Sequence, residues 1–158
     1  MADVMDRLFA EWHRLGAPVL LAEQPAPVPE RPPEELIAES TAHCRDSGRL
    51  TWIVLAWLID HADEIDASEL LTAARADGDL SVLGVLCDAA NHRRPHAAFE
   101  SVMAACHPNS DFEPFFTRVG RSPLATRLAR ESPNDVFLRW NYLCSELQYL
   151  DAGSRQAS

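Results

Sequence analysis

The chain has 158 residues, enough for one domain that buries roughly two-thirds of the surface its unfolded form would expose. Hydrophobic residues make up 47% and charged residues 24%, a balance that excludes general disorder. The 24 acids face 14 basic residues, all arginine; the net charge of −10 argues against generic nucleic-acid binding, and the lack of lysine excludes Schiff-base chemistry and lysine-held phosphates.

Residues 2–15 read as a helix. Met5, Leu8, Phe9 and Trp12 recur at i, i+3, i+4 and i+7, and Gly16 stands where a C-terminal cap belongs. The stretch carries three acids and lacks the basic and apolar regions of a signal peptide, so a cytoplasmic address is expected. Six of the 11 prolines then fall within residues 18–33, which favours extended polyproline geometry over helix. The N-terminal helix is therefore expected on an arm, with residues 23–33 reaching on the order of 34 Å. Its stripe of Met5, Leu8, Phe9 and Trp12 is a candidate docking helix, because that much apolar surface needs cover. The cover comes from its own domain, a second protomer or a partner.

Pro33 suits a first helical position, and a helix is expected over residues 34–47, closed by Gly48. Residues 50–63 are apolar on every face and read as a buried central helix, although the β-branched and aromatic half from Trp52 to Leu55 also fits a strand. The longest apolar run, residues 52–59, is far shorter than the roughly 20 residues that span a bilayer. Asp66 and Glu69 fit a capping box before a short helix with Leu70, Leu71 and Ala74, which Gly78 closes. Asp79 caps the next, with Leu80, Leu83, Cys87 and Ala90 on one stripe; Gly84 within it signals close approach of a neighbouring helix. A further helix over residues 95–106 carries Phe99, Val102, Met103 and Cys106. Ser110 and Glu113 form a second capping box, and Ser122-Pro123 and Ser132-Pro133 each set a serine cap before a proline. The last helix carries Val136, Trp140, Leu143, Leu147 and Leu150.

The expected fold is all-α: a compact array of eight or nine short helices, or a short α-solenoid, although no repeat of fixed period is present. Residues 1–16 form the N-terminal helix, 17–33 a proline-rich linker, 34–150 the helical domain and 151–158 a flexible tail.

Few residues point to chemistry. The cysteines (Cys44, Cys87, Cys106, Cys144) are far apart and sit at or near apolar helical positions, so they read as buried thiols. His92 and His96 have the spacing of helical metal ligands, but Pro95 intervenes and a polar turn is the simpler reading. His61, Asp63 and Glu64 read as a solvated helix end, and Arg7 with His13 only faintly echoes a ribonuclease pair. No phosphate-binding or nucleophile motif occurs; no cofactor and no metal are expected. Charge is the better clue. Residues 33–90 hold 12 acids against three arginines, whereas residues 118–139 hold Arg118, Arg121, Arg127, Arg130 and Arg139 against two acids. Those arginines are a candidate basic surface, and such asymmetry steers partners.

The run Leu50-Thr51-Trp52 to Trp57-Leu58, then Gly78-Asp79 with Leu83-Gly84, then Ser122-Pro123-Leu124 to Phe137-Leu138-Arg139-Trp140, resembles small helical proteins of bacterial toxin–antitoxin gene pairs. Those are similar to antitoxin partners of nucleotidyltransferase-like toxins. The resemblance implies a non-catalytic protein that binds and restrains a partner enzyme, and it assigns no functional residue. The expected function is a non-enzymatic protein-binding module, antitoxin-like or a subunit of a defence or regulatory complex. Its partner would be neighbour-encoded, with homo-oligomerisation through the N-terminal arm a further option. The alternative is a helical enzyme or nucleic-acid-processing factor using the arginine-rich C-terminal third.

Overall fold

Helices begin where a side chain can accept from the unpaired N–H groups of a first turn. The computed structural model describes residues 3–19, 21, 27–28, 30–116 and 135–144, and five of its helices open in this way. Asp3 caps α1 (Val4–Arg14), Ser47 caps α3 (Gly48–Asp60), Asp66 caps α4 (Ala67–Asp77), Asp79 caps α5 (Leu80–Arg93) and His96 caps α6 (Ala97–Ala105). Helix α2 (Pro33–Thr41) opens instead on a proline, whose missing N–H would have had no helical acceptor. A seventh helix, α7 (Asp135–Arg139), leads into a two-residue parallel pair, β1 (Glu113–Pro114) with β2 (Tyr142–Leu143). The described residues are thus mostly helical, with seven α-helices.

The apolar runs decide the packing. Helices α3 and α5 pack on each other, with Leu50, Ile53, Val54 and Leu58 of α3 and Val82, Leu83, Leu86 and Cys87 of α5 all buried in the one core. The segment from Trp52 to Leu55 is helix, so the strand option falls. Helix α2 packs on α4, and α6 on α5. Each buried leucine or isoleucine contributes roughly 1.5–3 kcal/mol relative to exposure.

Five expectations are corrected. The helix expected over residues 34–47 stops at Thr41 and gives way to a 3-10 turn, Cys44–Asp46. The Ser47-Gly48 pair opens α3 rather than closing α2, because the Ser47 hydroxyl accepts from Leu50 N–H while Thr51 anchors to the Cys44 carbonyl. The helix expected over residues 50–63 ends at Asp60, followed by a 3-10 turn, Ala62–Glu64. The Ser110–Glu113 box starts no helix. Pro114 has no N–H to continue one, and Asn109 donates to the Glu113 carboxylate that would have closed the box. The last helix ends at Arg139, and Asn141, left-handed at φ 63°, turns the chain into β2. The expected helix starts at Ser122-Pro123 and Ser132-Pro133, and Leu147 and Leu150, lie outside the described residues.

The N-terminal helix docks on its own body. Leu8 and Trp12 are fully buried, and Met5 and Phe9 pack partly buried against the same core. Trp12 donates from Nε1 to Ser40 Oγ at 2.9 Å and meets Trp57 edge-on at 5.7 Å. Gly16, at φ 84°, ends the helix as expected. The far end of the linker does not reach outward: Glu30 pairs with Arg14 at 2.9 Å and Arg31 with Glu11 at 2.8 Å, which brings it back alongside α1.

Candidate functional site

Charge is the feature the sequence singled out, and the fold sorts it into internal junctions and an exposed surface. The first junction ties α1, the linker and α2. Glu11, almost fully buried, accepts from Arg7 at 2.7 Å and from Arg31, and both arginines also reach Glu39. Burial pushes the Glu39 carboxyl up, but hydrogen bonds from Arg7 and Arg31 outweigh it and hold the group below its ordinary value.

The second junction is centred on Asp88, 4% exposed, in the apolar middle of α5. Its carboxylate accepts Nε and Nη2 of Arg139 at 2.9 and 2.8 Å and the Trp140 indole N–H at 2.9 Å. His92 Nε2 accepts a further hydrogen bond from Arg139 Nη2. The Trp140 ring lies directly on Gly84, so the close approach read from that glycine is real, but the neighbour is an indole rather than a helix backbone.

The third junction closes the turn between α5 and α6. Arg94 donates to the Ile59 carbonyl at 2.9 Å and to Asp63 at 2.7 Å. His96 Nδ1 accepts from Ala98 N–H, so its proton sits on Nε2 and is donated to Asp63 at 2.9 Å. The hydrogen bond from His96, with Arg94 beside it, holds Asp63 below its ordinary value. His92 and His96 therefore serve two different junctions on either side of Pro95. Among the described residues no group of three or more His, Cys, Asp or Glu is placed to hold a metal ion.

The cysteines are all buried thiols. Burial pushes the Cys44 thiol up to about 12 and Cys106 to about 11, and raises Cys87 as well. The Tyr142 hydroxyl donates to Ser81 Oγ at 2.6 Å, and Ser81 in turn donates to Asp79, so this hydroxyl chain serves the α5 cap.

The exposed surface carries both signs, with Arg14, Arg49 and Arg75 exposed alongside a larger number of acids. Arg7, Arg31, Arg94 and Arg139 are held in the junctions, and Arg45 donates to the carbonyls of Pro114 and Phe115. Glu35, Asp60, Glu64, Asp66 and Glu69 are exposed. Buried Glu34 accepts from Asp66 N–H at 3.0 Å, which joins the starts of α2 and α4, where Glu35, Asp66 and Glu69 stand. Of the candidate basic surface, Arg139 is bound to Asp88, and Arg118, Arg121, Arg127 and Arg130 lie outside the described residues. The docking stripe of Met5, Leu8, Phe9 and Trp12 is covered by the chain's own core. Arg7 and His13 are not brought together: Arg7 serves the first junction while His13 is exposed.

Sequence reasoning missed Glu11, Glu39 and Asp88 as organising residues. The available signal was an acid on an otherwise apolar helical stripe, which Asp88 supplies one turn after Gly84. No family model matches the chain, and no curated protein or solved structure is similar to it. No helix among the described residues is long and apolar enough to cross a membrane.

Proposed function

We propose that this chain is a non-enzymatic, cytoplasmic protein-binding module, antitoxin-like or a subunit of a regulatory or defence complex. The observation that supports this reading is the excess of acid: Glu35, Asp60, Glu64, Asp66 and Glu69 are exposed in a chain of net charge −10, and the Glu34–Asp66 hydrogen bond joins the starts of α2 and α4 that carry three of them. A low-dielectric helical body carrying such an excess attracts a basic surface and speeds encounter with it. A partner that uses that basic surface to hold a nucleic acid or nucleotide would be blocked by these acids. The resemblance to antitoxin partner proteins points the same way.

The test is co-expression of the full chain with the protein encoded beside it, followed by size-exclusion chromatography and titration at two salt concentrations. A complex is expected, weakening steeply between low and physiological salt. Neutralising three of the exposed acids with Glu35→Gln, Glu64→Gln and Glu69→Gln together should weaken it at least tenfold and flatten the salt dependence. Binding indifferent to both would discard the acidic surface. Failure of the wild-type pair to associate would count against the module reading itself.

A further inference from the structure

Phe112 is 60% exposed, far more than the other aromatic side chains on which the core is built. It stands in the loop between α6 and β1, and that loop is held from three directions. Asn109 donates its backbone N–H to the Trp140 carbonyl at 3.1 Å and its side-chain amide to the Asp111 carbonyl and the Glu113 carboxylate at 2.7 and 2.9 Å. The Asn109 carbonyl accepts from Asn141 Nδ2 at 2.7 Å. From the far side, Arg45 pairs with Glu113 at 3.0 Å and donates to the carbonyls of Pro114 and Phe115, with its guanidinium 4.9 Å from the centre of the buried Tyr142 ring. Asn141 is the non-glycine residue of the described chain held in the left-handed region, a conformation of order 1 kcal/mol or more in cost that persists where surroundings impose it.

A loop fixed this firmly does not expose its large side chain through slackness. Phe115 and Phe116, three and four residues further on, are buried, whereas Phe112 faces out of the same segment. Aromatic side chains on pre-ordered backbone are the usual anchors of protein interfaces, because little rotamer freedom is lost when they enter a pocket.

We propose that Phe112 is a pre-positioned anchor that inserts into an apolar pocket on a partner protein whose rim is basic. The inference rests on the protein-binding reading and adds the contact residue and the chemistry of its socket. The rim follows from charge: Asp111 is exposed next to Phe112, and the whole chain carries −10. A second copy of this chain, equally acidic overall, is a poorer match for that loop.

The probe is the protein encoded beside this chain, co-expressed with the full-length wild type and variants. Phe112→Ala should weaken the complex at least tenfold, and Phe112→Trp should largely restore it. Neither should move the melting temperature by more than about 1 °C, since the exposed ring holds little of the fold together. Asn109→Ala, which unties the loop and leaves Phe112 in place, should weaken binding by an intermediate factor. A photocrosslinking phenylalanine at position 112 should map to an apolar site on the partner flanked by lysine or arginine. If wild type and Phe112→Ala bind alike, or the crosslink joins two copies of this chain, the anchor is refuted while the module reading stands. If the wild type forms no complex, both fall together.

Discussion

Gly84 offers a test in which two ordinary expectations oppose each other. It sits in the middle of α5, where alanine would normally be favoured by about 1 kcal/mol. A Cβ at this position would stand within 2.6 Å of three carbons of the Trp140 ring, closer than any real contact. The ring has nowhere to retreat. Trp140 is 7% exposed, its Nε1 donates to Asp88, its backbone N–H donates to the Phe137 carbonyl, and its own carbonyl accepts from Asn109. Overpacking of this kind costs roughly 1–3 kcal/mol, and a shift that frees the buried indole N–H adds about 1–3 kcal/mol more. After the helical gain, Gly84→Ala should therefore destabilise the protein by about 1–5 kcal/mol. For a domain of this size that lowers the melting temperature by roughly 3–15 °C, measured by scanning calorimetry or thermal circular dichroism. In a Trp140→Leu background the obstacle is gone, and Gly84→Ala should become neutral or stabilising, a coupling of more than about 1 kcal/mol in a double-mutant cycle. A rise in melting temperature for Gly84→Ala alone would refute the packing of the α7–β2 segment on α5.

Trp12→Ala should cost about 3–5 kcal/mol, because it opens a cavity beside Trp57 and strands the Ser40 hydroxyl; urea unfolding checks this, and an unchanged midpoint would mean that α1 does not dock. Glu39 and Asp63 both have lowered folded-state values, so the stability they contribute is fully present above their ordinary carboxylate range and is lost as pH falls through the lowered values. Melting temperatures from pH 7 down to about 2 should show that acid loss, and Glu39→Gln with Asp63→Asn should flatten it; an equally steep limb in the double variant would assign the loss to other groups. Cys44, Cys87 and Cys106 should resist a thiol reagent at pH 8 until the protein unfolds, because burial keeps them protonated; rapid labelling of any of the three in the native protein would contradict their packing.

The parts of the fold that could be read in the sequence are those governed by neighbours a few residues away. Asp66 and Asp79 were legible as helix caps, and each accepts from the first turn it precedes. Even there the reading was half complete: Glu69 does not close the box at Asp66, whose N–H is taken by Glu34 from another helix. The same pattern at Ser110 failed because its fourth following residue is proline, whereas Asp66 is followed at that place by Leu70, which is fully buried. Ser47-Gly48 was ambiguous in principle, since glycine ends helices and serine starts them. The hydroxyl of Thr51 and the buried run behind it decided for a start.

The candidate site divides along the same line. The excess of acid was legible by counting, because exposure is the default for carboxylates and needs no partner. Which acids would be withdrawn from that count was not legible, since Glu39 meets Arg7 from 32 residues away and Asp88 meets Trp140 from 52. Each such pair withdraws one anion together with its cation, so the internal junctions fasten α1 and α7 to the body while the excess acid of the chain stays with the remaining carboxylates. Removing its partner charge with Asp88→Asn should both loosen the α7–β2 segment and leave half-exposed Arg139 uncompensated, two effects separable by the melting temperature and by the salt dependence of partner binding.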